Sequence, residues 1–191
     1  YYSLMDWYHS DGAKCREADA AWRRSVHYIH THVRELMSNY GKIDILWYDV
    51  AWPLTPEGWE SVKMNQMVRQ LQPDIIINNR SRVPEDFDTP EQRIQASQGR
   101  NWEACMTMND SWGYHKADDA WKTPKQCLRN LITCSRQGGN YLLNIGPMPD
   151  GTVPPESVRI LSTVGAWLEK NGKAVYDTDP CQVSRSNYMS F

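Results

Sequence analysis

An apolar run in this chain ends on a carboxylate: Ile43-Asp44-Ile45-Leu46-Trp47-Tyr48-Asp49, followed by Val50-Ala51-Trp52. An ionised side chain at the tip of a buried strand is costly unless something stabilises or uses the charge. In parallel α/β barrels, strand C-terminal ends are where the chemistry is done. Trp47 and Trp52 flank Asp49, and amphipathic rings suit the C–H faces of a pyranose while an acid handles the glycosidic bond. A second apolar run, 74–80, ends on Asn79-Arg80, and Glu91 lies beyond it in Phe87-Asp88-Thr89-Pro90-Glu91-Gln92. Glu103 follows Trp102 at the start of a third candidate strand. If these strands are neighbours, their ends converge on one rim with two or three carboxylates and an arginine. A retaining glycosidase needs such a set: one carboxylate as nucleophile and a carboxylic acid about 5 Å away. The acid must have its pKa raised, by burial or by the first charge, to keep its proton near neutrality. Arg80 would hold Asp49 ionised or bind a sugar hydroxyl. The competing reading of Asp49 is a cap for the turn after its strand.

The elements that must position these residues alternate. Apolar spacings of three and four predict a helix over about 18–39, carrying Trp22, Val26, Ile29, Val33, Leu36 and Met37. Gly41 breaks it, and the strand to Asp49 follows. A second helix is expected over about 56–71 and is stopped by Pro73. Residues 81–100 read as a long functional loop, 102–108 as a strand and 109–119 as loop again. Thr123-Pro124 opens a helix to about 135. Residues 140–145 form a fourth strand closed by Gly146-Pro147, and 154–170 a last helix. Asp150-Gly151 is a turn. This repetition argues for a parallel sheet with covering helices. Four strands and the end of a fifth cannot close an eight-stranded barrel, which takes about 250 residues. An open doubly wound sheet fits the pattern too, although no GxGxxG or Walker A loop follows a strand.

Composition narrows the classes. The 191 residues and 40% hydrophobic content suit one globular domain. A net charge of -2 gives no footprint for nucleic acid. Nine Trp and ten Tyr stand against two Phe, a balance that suits carbohydrate surfaces. The five cysteines (Cys15, Cys105, Cys127, Cys134, Cys181) show no CxxC spacing, so neither a zinc site nor a disulfide framework is expected. No apolar run is long enough to span a membrane. Asn79-Arg80-Ser81 and Asn109-Asp110-Ser111 match the glycosylation sequon, a pattern common by chance. The chain has no initiator Met and opens on what reads as a strand end. It is therefore expected to be a fragment, inactive and poorly folded alone because parallel edges would stay unpaired.

Five motifs together carry a resemblance: Leu46-Trp47-Tyr48-Asp49, the Asn79-Arg80 strand end, Thr89-Pro90-Glu91, Trp102-Glu103 with Trp112-Gly113-Tyr114, and Asn144-Ile145-Gly146-Pro147. In order and spacing they resemble α-L-fucosidases of glycoside hydrolase family 29, over essentially the whole chain. The resemblance implies a (β/α)8 TIM-like barrel, present here from the end of strand 4 through helix 8. Residues 1–175 would be partial barrel, and 176–191 a linker or the start of a C-terminal β-sandwich. It implies a retaining exo-fucosidase acting on fucosylated glycans, without cofactor or metal, in a secreted, periplasmic or lysosomal setting. By resemblance Asp49 is the nucleophile, and Tyr1, Trp47 and Arg80 contact the sugar. Glu91 is the preferred acid/base and Glu103 the alternative. The family's fucose-binding histidines lie on earlier strands that this sequence does not contain.

Other residues are weighed against plainer roles. His27, His30 and His32 crowd one helix without an acidic partner and read as surface or satisfied core rather than as metal ligands. His9, near Trp7 and Asp11, is a candidate pocket residue. Trp52, Trp112 and Tyr114 are candidate aglycone platforms or ordinary loop packing. Asp44 should pair locally, and Asp6 has no assigned role. Two rival functions remain: a retaining barrel glycosidase of another sugar specificity, and a non-catalytic carbohydrate-binding pseudoenzyme.

Overall fold

The computed structural model describes residues 1–12 and 19–180, and the chain divides into two compact units, Tyr1–Asp88 and Thr89–Phe191. In the first unit, β1 (Tyr2–Ser3) is followed by α1 (Asp19–Asn39), β2 (Ile45–Leu46), β3 (Tyr48–Asp49) and α2 (Ser61–Leu71). Then come β4 (Ile76–Ile77), a 3-10 turn (Asn79–Ser81) and β5 (Phe87–Asp88). β2 and β3 are one extended run interrupted at Trp47. β2 pairs in parallel with β4 (Ile45↔Ile76, Leu46↔Ile77), and β3 pairs in parallel with β1 (Tyr2↔Tyr48, Ser3↔Asp49). Period-two alternation turns Leu46 and Tyr48 into a core shared with Val26, Ile29 and Val33 of α1 and Met64 and Val68 of α2. Trp47 and Asp49 therefore point to the opposite face.

The second unit holds β6 (Asn101–Thr107), α3 (Pro124–Arg136), β7 (Asn140–Asn144), α4 (Pro155–Asn171) and a 3-10 turn (Gly172–Ala174). β6 and β7 run parallel from Glu103↔Asn140 to Thr107↔Asn144. Trp102, Ala104 and Met106 pack with Cys134 of α3, and Met108 packs with Cys127, Ile160 and Val164. Thr123 caps α3 in a reciprocal box with Gln126, and Pro124 occupies the first turn. The Trp102 ring lies where a Cβ on Gly139 would stand, so the turn into β7 accepts only glycine there.

The elements are α/β with parallel pairing, and no closed barrel forms among the described residues. Several expected boundaries move. The second helix begins at Ser61, not 56, because Glu60 adopts a left-handed φ of 50° and Trp59 is pinned by its indole N–H to the Ala51 carbonyl at 2.8 Å. The second strand ends at Ile77, because Asn78 spends its side chain on backbone groups and the chain turns at Asn79. Arg80 thus stands on a 3-10 turn and not on a strand tip. The expected loop 81–100 contains β5 and an extended stretch in which Glu91 bridges Cys105 in parallel. Cys105, Cys127 and Cys134 are buried and in no disulfide, while Cys15, Cys181 and the segment 181–191 lie outside the described residues. Among the described residues, no helix is long and apolar enough to cross a membrane.

Candidate active site

Asp49 ends β3 on the face away from the helices, and three donors converge on its carboxylate. Tyr1 donates its hydroxyl to Oδ2 at 2.7 Å, and Arg80 donates Nη1 to Oδ1 at 2.8 Å. The Val50 backbone N–H also reaches Oδ1, at 2.8 Å. Val50 can do so because it sits at φ 54°, a left-handed conformation uncommon for a β-branched residue. Burial is the largest single influence on Asp49 and raises its pKa. The hydrogen bonds from Tyr1, Arg80 and Val50, together with the charge of Arg80, outweigh it and hold the carboxyl below the usual carboxylate range. The group is a half-buried, ionised carboxylate fixed in orientation, as a nucleophile requires. The Arg80 guanidinium also lies 5.4 Å over the Trp47 ring, which packs on Phe87 at 5.9 Å.

Behind Asp49, the interruption at Trp47 leaves the Tyr48 backbone without a partner on β4, and a side chain takes that place. Asn78, fully buried, accepts the Tyr48 N–H through Oδ1 and donates Nδ2 to the Tyr48 carbonyl, both at 2.9 Å. Nothing in the spacing of the apolar run singled out Asn78, although an amide directly after three isoleucines was the available signal.

Glu91 and Glu103 belong to the second unit. Glu91 is exposed in the extended stretch whose neighbours bond Cys105: the Gln92 N–H reaches the Cys105 carbonyl at 2.9 Å, and the Cys105 N–H reaches the Pro90 carbonyl at 3.0 Å. Glu103 is half-buried on the β6 face opposite the helix-packed one, and burial alone raises its carboxyl. Its partner across the ladder is Asn140, the first residue of β7. Glu103 thus stands near the N-terminal end of its strand, whereas Glu91 is level with Cys105, two residues further along. The Trp112-Gly113-Tyr114 and Asn144-Ile145-Gly146-Pro147 motifs meet: Asn144 Nδ2 donates to the Trp112 carbonyl at 2.6 Å, and Gly146, at φ 55°, lies against Trp112 and Gly113. The rings of Trp112 and Tyr114 are exposed.

His9, His30 and His32 have partners on α1 and the loops beside it, and His32 lines a cavity together with Tyr1 and Val50. His9 accepts the Asp11 N–H at 3.1 Å and stacks on Tyr28, which stacks in turn on His32. The His30 ring bonds the Trp59 carbonyl at 3.0 Å, and burial lowers its pKa. Among the described residues, no group of three His, Cys, Asp or Glu could hold a metal ion. Asp44 pairs locally with Lys42, and Asp150 accepts from Thr152 within its turn. Of the two sequons, Asn79 bonds Asp88 and Asn109 is buried, so neither amide is displayed for modification.

The chain matches the alpha-L-fucosidase family model over residues 1–173. It is 29% identical over 201 residues to tissue alpha-L-fucosidase from Mus musculus, covering 96% of this chain and 43% of that protein. Alpha-L-fucosidase isoenzyme 1 from Paenibacillus thiaminolyticus superposes with a TM-score of 0.87 at 34% identity, over 98% of this chain and 52% of that one. A GH29 alpha-L-fucosidase from Bacteroides thetaiotaomicron, solved as a trapped covalent intermediate with 2-fluoro-fucosyl fluoride, superposes with a TM-score of 0.84 at 28% identity. That match covers 94% of this chain and 48% of the other. The chain spans about half the length of these solved relatives and less of the murine protein. With the match running from Tyr1 through the last helix, and with the Asp49 site inside it, the chain belongs to the alpha-L-fucosidase family.

Proposed function

We propose that this chain is the C-terminal part of a retaining exo-α-L-fucosidase that removes terminal fucose from glycans or glycoconjugates by double displacement. In this reading, Asp49 attacks the anomeric carbon and the bond to the leaving oxygen breaks, giving a glycosyl-enzyme ester. Glu91 protonates that oxygen as it departs, then takes a proton from the water that hydrolyses the ester. The observation that carries the reading is the Asp49 carboxylate, ionised and aimed by Tyr1, Arg80 and the Val50 N–H. Trp47 and Arg80 would contact the fucose with Tyr1. Glu91 is preferred over Glu103 because it lies further toward the C-terminal end of β6, the end at which parallel barrels do their chemistry. The raised pKa of Glu103 keeps it as the alternative acid. In the same proposal, residues 1–175 supply the end of strand 4 through helix 8 of a (β/α)8 barrel, and 176–191 lead toward a C-terminal domain.

The test is Asp49→Gly in the full-length protein, assayed with an aryl α-L-fucoside. The expected result is loss of turnover, with added azide restoring activity and giving the inverted fucosyl azide. Wild-type turnover in Asp49→Gly refutes the nucleophile assignment. For the acid, azide should rescue the Glu91→Ala variant to a product of retained configuration, and rescue of Glu103→Ala alone would transfer the role.

A further inference from the structure

Two loops leave the C-terminal ends of the paired strands β1 and β3, and each projects a tryptophan outward. Trp7 is 65% exposed and Trp52 59%, and their ring centroids lie 6.2 Å apart at 43°.

Both loops are held in shape. Asp6 Oδ1 accepts the backbone N–H of Tyr8 at 2.9 Å and of His9 at 3.2 Å. Gly12 closes the turn onto the His9 carbonyl at 2.9 Å, at a place where a Cβ would strike the Asp6 carbonyl. On the other side, Val50 reverses the chain, and the Ala51 carbonyl accepts the Trp59 indole N–H. The rings are therefore preorganised, which reduces the ordering cost of binding.

An open cavity of about 440 Å³ lies beside Trp7, its lining including Tyr1, Asp6, Trp7, Tyr8, His32 and Val50. That volume is within the range of small-ligand sites. Tyr1 and Val50, which line this cavity, also bond Asp49. We propose that Trp7 and Trp52 form the stacking platform for the leaving-group sugar, a pyranose whose apolar face lies on the indoles while fucose occupies the Trp47 side. The proposal rests on Asp49 as the nucleophile. Trp7 lines the cavity and the Trp52 ring stands 6.2 Å from the Trp7 ring, a tilted pair that fits a sugar ring better than the flat, extended face of a protein partner.

The experiment compares the full-length wild type with Trp7→Ala, Trp52→Ala and the double variant on two substrates. One is 2′-fucosyllactose, whose leaving group carries sugar rings; the other is α-L-fucosyl fluoride, whose leaving group has none. The double variant is expected to lose about tenfold more kcat/KM on the glycan than on the fluoride, because both ring faces under the leaving group are gone. Equal losses on both substrates, or none on either, overturn the proposal. Trp7→Tyr and Trp52→Tyr keep a stacking face and should recover most of the difference even where an alanine variant folds poorly. Titration of Asp49→Gly with free lactose, read by tryptophan fluorescence, judges the platform apart from the nucleophile assignment. A response that persists in the double alanine variant overturns the platform whatever Asp49 does.

Discussion

Replacing Arg80 with methionine keeps the length of the side chain and removes its charge. In the structure Nη1 lies 2.8 Å from Asp49 Oδ1, with side-chain exposures of 17% and 25%, so water screens the pair only in part. A hydrogen bond between charged groups contributes about 1.5–3 kcal/mol. The placement over the Trp47 ring adds on the order of 0.5 kcal/mol or more, and a methionine thioether partly replaces it. At 1.36 kcal/mol per tenfold, kcat/KM should fall roughly 10- to 100-fold. The pH dependence separates this account from simple loss of a sugar contact. With Arg80 gone, burial of Asp49 is opposed only by Tyr1 and the Val50 N–H, so its pKa moves upward. Asp49 must be ionised to attack, so the acid limb of kcat/KM should move to higher pH than in the wild type. Stability follows the same sign. A carboxyl depressed below its ordinary 3.8 contributes stability above that value and loses it as pH falls through the folded pKa. The Arg80→Met variant should therefore be less stable than the wild type near neutrality, with the difference narrowing as pH falls through the wild-type Asp49 pKa. The assay is kcat/KM for an aryl α-L-fucoside across the acid range, with thermal melts at the same pH values. An acid limb that stays in place while activity falls refutes the claim that Arg80 sets the ionisation of Asp49.

Two further outcomes follow from the same geometry. Asn78→Ala strands the buried N–H and carbonyl of Tyr48; at about 1–3 kcal/mol per unsatisfied group, urea denaturation should show a loss of roughly 2–6 kcal/mol, accompanied by reduced turnover. Glu103→Gln removes a carboxyl that burial raises above its ordinary 4.5; such a group destabilises the fold as pH rises past that value, so the variant should melt a few degrees higher at neutrality and like the wild type at lower pH, while Glu91→Gln shows the larger loss of turnover, on the order of 100-fold or more.

Legibility followed the kind of signal. The apolar runs ending at Asp49 and before Asn79-Arg80, and the helices spaced by Val26, Ile29 and Val33 or capped by Thr123-Pro124, could be read because burial imposes a period that the sequence carries. Asp49, Arg80 and Tyr1 meet because β1 and β3 lie side by side and the Asn79–Ser81 turn faces them, a long-range pairing that only the motif resemblance anticipated. The departures are local contests. Trp59 is fixed by its indole, and a helix that could have begun at Pro56 starts later. Asn78 prefers Tyr48 to a strand ladder, and β4 stops. Glu103 sits near the beginning of its strand, as its place directly after Trp102 led one to expect. Trp7 went unassigned because its loop is organised by the Asp6 carboxylate, whose acceptance of two backbone N–H groups leaves no periodic trace.

The break at Trp47 has a dynamic consequence. A continuous strand is protected by neighbours on both sides and opens only when the sheet opens. Tyr48 and Asp49 have one backbone neighbour, β1, and on the other side a single carboxamide. Their opening is therefore governed by one side-chain rotamer, and the Tyr48 amide should exchange with solvent at a rate set by Asn78 and not by global unfolding. Asn78 thus tethers the strand of the candidate nucleophile on the side opposite β1, while the Tyr48 ring anchors it in the core with Leu46 and Val68.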